Sequence, residues 1–173
     1  MANLIMTVPH VIKQNVGIAY NHIMKKLDGW VGFVDHDIYF ANADWYELFV
    51  DAIDRLGEKA GFITCVTNRI GCQLQKQPNV DQNNHDIRYH KKMARQVYDK
   101  SGNEIVDITD SQFSPSALVF VTHKEAWQKV GGFTERIQIG CDNNYCGRLK
   151  RSGYRLFLIK GLYVYHWYRA SPE

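Results

Sequence analysis

The sequence predicts an α/β fold, a single domain over residues 1–173 with a mostly parallel central sheet flanked by helices. Two observations carry the prediction. Apolar runs of strand length at residues 30–34, 61–66 and 117–121 alternate with amphipathic stretches at helical spacing, the order of a layered α/β domain. A chain of 173 residues, 45% hydrophobic and 23% charged, has ordinary globular composition and enough length for one compact core, but is cramped for two.

Residues 4–8 (LIMTV) read as a short buried strand closed by Pro9. Over residues 15–27, Val16, Ala19, Tyr20, Ile23, Met24 and Leu27 recur at helical spacing, and Asp28-Gly29 ends that helix. Residues 30–34 (WVGFV) are apolar throughout, as in a strand covered on both faces. Asp44 and Glu47 suit a capping box for a helix whose apolar stripe is Trp45, Leu48, Phe49, Ala52, Ile53 and Leu56, stopped by Gly57. Residues 61–66 (GFITCV) are another buried strand.

Residues 68–112 are different. They are polar and weakly periodic, and read as an insertion or flap with a helix over 85–98 and a turn at Ser101-Gly102 between short strands. Residues 117–121 (ALVFV) restore the buried pattern, followed by a capping box from Thr122 and Glu125 and a short helix ending at Gly131-Gly132. A helix over 142–151 with Gly153 behind it, then two strands over 154–159 and 162–167 around Gly161, close the chain. There is no internal repeat and no interdomain linker.

Lys+Arg 21 against Asp+Glu 18 leaves +3, too mild a balance to announce a nucleic-acid partner. No apolar run approaches the ~20 residues of a membrane span, and residues 1–9 lack the basic start and long apolar core of a signal peptide. The expectation is a soluble, cytoplasmic protein. Cys65, Cys72, Cys141 and Cys146 have neither zinc-knuckle nor redox spacing, so they read as reduced, buried thiols; a zinc site from Cys141, Cys146 and a distant His is the alternative.

Three places carry candidate chemistry. Asp35-His36-Asp37 follows the apolar run 30–34, where α/β sheets bind ligands, and two acids one residue apart repel unless a cation joins them. A hard divalent ion with oxygen ligands suits them, although acidic pairs also cap turns. Gly131-Gly132 suits a tight turn or a close backbone approach, and Asp142 suits either an N-cap or a general base. His166 ends an aromatic strand, where it is either a hydrogen-bonded core histidine or a third ligand to Mn²⁺. Arg169 could pair with a phosphate, and Trp45 and Trp167 could stack on a sugar or base, though a surface arginine and packed tryptophans are the commoner roles.

In this order the elements resemble a GT-A-fold (Rossmann-like) glycosyltransferase of the family 2 group. The matching stretches are NVGIAYN at 15–21, WVGFVDHD at 30–37, DWYELFVDAI at 44–53, VGGFTERI at 130–137 and CDNNYCGRLKRSGYRLFLIKGLYVYH at 141–166. The resemblance implies a nucleoside-diphosphate sugar donor (UDP- or GDP-sugar), a carbohydrate or other hydroxyl acceptor, and Mn²⁺ or Mg²⁺. It makes Asp37 and His166 metal ligands, puts Asp35 at the ribose or the ion's water shell, makes Asp142 the base of an inverting transfer, and sets Asn21 beside the nucleotide.

Relatives of that kind often carry Glu-Asp where this chain has Cys141-Asp142, and begin with a longer nucleotide-binding part than the single strand before NVGIAYN. The expectation is therefore a shortened nucleotide half, with a neighbouring subunit of a homo-oligomer as one source of the nucleobase contacts. Two competing readings are a non-catalytic reduced transferase domain that binds sugar or a partner protein, and a sugar-phosphate nucleotidyltransferase.

Overall fold

A computed structural model describes residues 2–10, 15–136 and 139–167. Strand β1 (Leu4–Thr7) leads to helix α1 (Val16–Lys26), β2 (Trp30–Val34), β3 (Ile38–Phe40) and helix α2 (Trp45–Leu56). A 3-10 turn (Gly57–Lys59) then enters β4 (Ala60–Thr67), followed by α3 (Ile87–Ser101), β5 (Ile105–Asp107), β6 (Val119–His123), α4 (Lys124–Lys129), α5 (Cys141–Arg151) and β7 (Arg155–His166). The seven strands form one open sheet in the order β1-β2-β6-β4-β7-β3, with β5 also paired to β7.

The expected α/β class holds, but the sheet is mixed and not mostly parallel. Among the described residues β1–β2 and β4–β7 run parallel, while β2–β6, β6–β4, β7–β3 and β7–β5 run antiparallel. An apolar run reports burial and carries no direction. Direction here follows from the connection. Residues 116–118 stand beside the ends of β2 and β4, tied there by Gln75 and Asp35, so β6 starts at that edge and must run back across the sheet.

Alternation along the strands divides the core between two faces. Val31, Phe33, Phe62, Phe120, Leu156 and Leu158 pack with α1, α3 and α5; Trp30, Val34, Ile63, Val119, Val121, Phe157 and Ile159 pack with α2. Both faces being covered explains why β2 and β4 are buried along their whole length.

Local details depart from expectation in three places. Asp44 stands at the N-cap of α2 without a side-chain cap bond, so the capping box does not form. Thr122 is a strand residue whose hydroxyl donates to the Gly61 carbonyl at 2.7 Å; the N-cap of α4 is His123, whose ring accepts from Glu125 N–H. Residues 154–167 do not split into two strands: β7 is one twelve-residue strand with a register shift against β4 near Cys65/Val66. The polar stretch 68–112 is partly folded onto the sheet, since α3 buries His90, Ala94 and Val97.

Gly161 lets β7 pass the turn after α3: a Cβ there would lie 1.8 Å from the Gly102 carbonyl oxygen. Gly161→Ala is therefore expected to destabilise the fold by about 1–3 kcal/mol through overpacking. Gly71, which has open space around it, is the control. Urea denaturation of both variants checks this; equal midpoints would show that the contact is not constraining.

Candidate metal centre

The buried strand β2 ends at Val34, and the chain turns at once. Asp35 N–H donates to the Leu118 carbonyl at 2.8 Å, and Ile38 N–H donates back to the Asp35 carbonyl at 3.3 Å. The turn delivers β3 to the edge of β7, where Ile38 stands opposite His166 and Trp167 N–H donates to the Asp37 carbonyl at 3.0 Å. This pairing brings together residues 129 positions apart, with His166 Nε2 3.4 Å from Asp37 Oδ2. One ligand atom from each of Asp35, Asp37 and His166 lies within 4.8 Å of the others.

His166 is held by its surroundings. Buried Asn68 accepts from His166 N–H at 2.8 Å and donates to its carbonyl at 3.2 Å. The imidazole Nδ1 lies 2.9 Å from the Arg69 carbonyl, which can only accept, so Nδ1 is assigned the proton. Nε2 is thereby turned toward the carboxylates, donating to Asp37 when the ring carries both protons and offering its lone pair to a metal when it does not. A ligating histidine is oriented in this way, by giving its other N–H to a carbonyl.

The electrostatics follow from burial. Asp35 is pushed up to about 6, chiefly by desolvation and then by the charge of Asp37, with Asp142 adding a smaller push and His166 opposing. Asp37 moves the other way, held below its ordinary value mainly by its hydrogen bond to His166. A cation among the three groups would offset the repulsion, so the donor set, two carboxylates and an imidazole, fits a divalent ion.

The cluster opens into a cleft of about 1040 Å³ that is also lined by Tyr20, Ser116, Ala117 and Asp142. Asp142 is not the N-cap of α5, a place held by Gly140 at φ +83°. Its carboxylate accepts from Ala117 N–H at 3.1 Å and from Asn143 N–H at 2.9 Å. Four of the sequence candidates, Asp35, Asp37, Asp142 and His166, therefore line one cleft.

Asn21 lies apart from them. Its amide donates to the Phe133 carbonyl (2.9 Å) and Glu135 Oε1 (2.8 Å), and accepts from Trp127 Nε1–H (2.9 Å) and Phe133 N–H (2.8 Å), so it clasps the 132–135 loop to α1. The close approach that Gly132 permits is to this clasp, since a Cβ there would lie 2.8 Å from Asn21 Oδ1. Arg169 lies outside the described residues. The four cysteines are free and buried, and among the described residues Asp35, Asp37 and His166 form the one cluster able to hold a metal.

Three contributors went unread in the sequence. Asn68 and Gln75 sit in the polar stretch, where nothing marks them as buried, and Tyr20 reads only as part of an apolar stripe. Gln75 donates to Thr64 Oγ1 (2.9 Å) and the Ser116 carbonyl (3.0 Å), and accepts from Ser116 N–H (2.7 Å), which fixes the wall of the cleft. Tyr20 packs between Phe33 and Phe133, and burial with the nearby charges of Asp35 and Asp142 holds its phenol protonated. No protein-family model matches the chain, and no curated protein matches it.

A raised carboxyl binds its proton more tightly folded than unfolded, so Asp35 costs stability as pH rises from about 4 through 6. Asp35→Asn is expected to stabilise the metal-free protein by on the order of 2–3 kcal/mol at pH 7.5 and to change little at pH 4. Unfolding in chelator at both pH values checks this. A variant no more stable at pH 7.5 than wild type would remove the buried like-charge pair as an account of the site.

Proposed function

We propose that this chain is a divalent-cation-dependent glycosyltransferase that moves a sugar from a nucleoside-diphosphate sugar to a hydroxyl acceptor with inversion. The carrying observation is the convergence of Asp35, Asp37 and His166 within 4.8 Å on a cleft that Asp142 also lines. The sequence resemblance to GT-A enzymes supports the same residues in the same roles. The cleft, about 1040 Å³, is at the upper end of the ~300–1,000 Å³ typical of small-molecule sites, a size suited to a nucleotide sugar.

Asp37 and His166 would hold Mn²⁺ or Mg²⁺ directly, with Asp35 as a further ligand or a partner of the ribose or the ion's water. Held by these residues, a divalent ion would supply positive charge to offset that developing on the diphosphate leaving group. Asp142 acts at the acceptor. Each of its oxygens accepts one backbone N–H and keeps a lone pair for the acceptor hydroxyl. It takes the acceptor hydroxyl's proton as that oxygen attacks the anomeric carbon and the nucleoside diphosphate departs.

Asp37→Asn is expected to abolish Mn²⁺ binding in calorimetry and donor turnover, with the fold intact by circular dichroism. Unchanged Mn²⁺ affinity would overturn the metal assignment. Asp142→Asn should lower kcat by about 10²–10⁴ while donor affinity stays near wild type. Equal losses in both would remove the base. Released nucleoside diphosphate identifies glycosyl transfer, whereas pyrophosphate would identify nucleotidyl transfer instead.

A further inference from the structure

We propose that the outward face of α3, together with the His85–Trp167 ring pair, is the acceptor-binding surface and fits a glycan that carries a carboxylate on each sugar; this rests on the transferase reading above. Arg88, Lys91, Lys92 and Arg95 are all exposed and recur at i, i+3, i+4 and i+7, so they form one stripe along α3. The opposite face is spent on β7 through His90, Ala94 and Val97, with His90 Nδ1 2.8 Å from the Tyr163 hydroxyl.

The stripe is not neutralised from within. Lys91, Lys92 and Arg95 make no ion pair among the described residues, and Arg88 pairs with Asp86 at 3.4 Å while its side chain stays 92% exposed. Asp99 is the one acid on the same face, one turn beyond Arg95. Four cations within about two turns repel one another, so the free helix face carries an electrostatic cost that an anionic ligand removes.

The stripe begins at an aromatic platform. His85, one residue before the N-cap Asp86, stacks on Trp167 with ring centroids 5.1 Å apart and planes 21° from parallel. Its Nδ1 is fixed 2.6 Å from the Tyr165 hydroxyl, while Trp167 stays 47% exposed. Trp167 follows His166 in the chain and donates its N–H to the Asp37 carbonyl, so the backbone of the platform adjoins that of the candidate metal centre. A polymer lying along α3 would bring its end to Trp167, beside that backbone.

Three features select the ligand. Successive rungs of the stripe, Arg88, the Lys91/Lys92 pair and Arg95, lie roughly 5–6 Å apart, a spacing close to the length of one pyranose ring, so a polyuronate sets one carboxylate against each rung. The apolar C–H face of a sugar ring can lie on the exposed indole, whose face is electron-rich. No large exposed hydrophobic lies on α3 itself, so a bilayer would meet a single indole and no apolar helix face, and a single platform with a chain charge of +3 is unlike the serial platforms and basic grooves of single-strand binders.

The test uses the full chain in chelator, with oligogalacturonate as probe and dextran, poly-dT and phosphatidylglycerol vesicles as comparison arms. Salt-sensitive binding of oligogalacturonate above dextran is expected. The K91E/K92E/R95E variant should bind roughly tenfold or more weakly, the K91R/K92R/R95K variant should bind as wild type, and Trp167→Ala should weaken binding that survives high salt. Circular dichroism and retained Mn²⁺ binding establish that the variants are folded. Absence of oligogalacturonate binding, unchanged affinity after charge reversal, or tighter binding of poly-dT or vesicles would overturn the surface. A chain that binds Mn²⁺ but not oligogalacturonate loses this surface and keeps its metal centre. One that binds oligogalacturonate but never releases nucleoside diphosphate keeps a glycan-binding face and loses its role in transfer.

Discussion

Two carboxylates one residue apart, drawn partly out of water at the end of a buried strand, set the terms for this molecule. Asp35 and Asp37 cannot both be comfortable ionised. The protein splits them: Asp35 is pushed toward its neutral form, and Asp37 is kept ionised by His166. A fold selected only for stability would replace Asp35 with an amide or a small apolar residue. Like charges kept together at one cleft at a cost in stability fit the proposed cation site.

Keeping those charges together requires a stiff frame, and β7 is its spine. The strand is parallel to β4 along one edge and carries β5 and β3 end to end along the other, so the residues that fix its position come from three distant parts of the chain. Asn68 adds a clamp on both backbone groups of His166, and its Oδ1 lies 3.1 Å from the Thr67 hydroxyl. Removing such a buried amide would leave two backbone groups unpaired, each worth about 1–3 kcal/mol. The polar stretch after β4 thus contributes ordered parts of the site, and is not merely a solvated excursion.

How much of this was legible depends on what each signal encodes. The strands at 30–34 and 61–66 and the helices around Asn15 and Gly57 could be read because periodicity, caps and glycines are local. The acidic tripeptide and His166 could be singled out because charged or titratable residues at the ends of apolar runs are conspicuous. Strand direction was not legible, since β6 looks the same read either way. Nor were Asn68 and Gln75: a buried amide is recognised by what it bonds, and its partners are up to 98 residues away. Asn21 illustrates the converse, a polar residue on an amphipathic helix whose four bonds all go to the protein.

The distance between the Asp35–Asp37–His166 cluster and the proposed base is set by one short piece of backbone. Leu118 accepts from Asp35 N–H, and its neighbour Ala117 donates to the Asp142 carboxylate. Ser116, one residue earlier, is gripped through both backbone groups by Gln75, which in turn bonds Thr64 inside the sheet. Three consecutive residues therefore tie the two chemical ends of the cleft to its buried centre. In the proposed transfer, the groups that would receive the leaving diphosphate and the base must stand at a fixed separation before substrate arrives, because reorganising them during the reaction would cost the rate enhancement they supply. Residues 116–118 meet that need through their own backbone groups, one bonded to the Asp35 backbone, one to the Asp142 carboxylate and two to the Gln75 amide, so Asp142 is held by the same short segment that fixes the acidic turn.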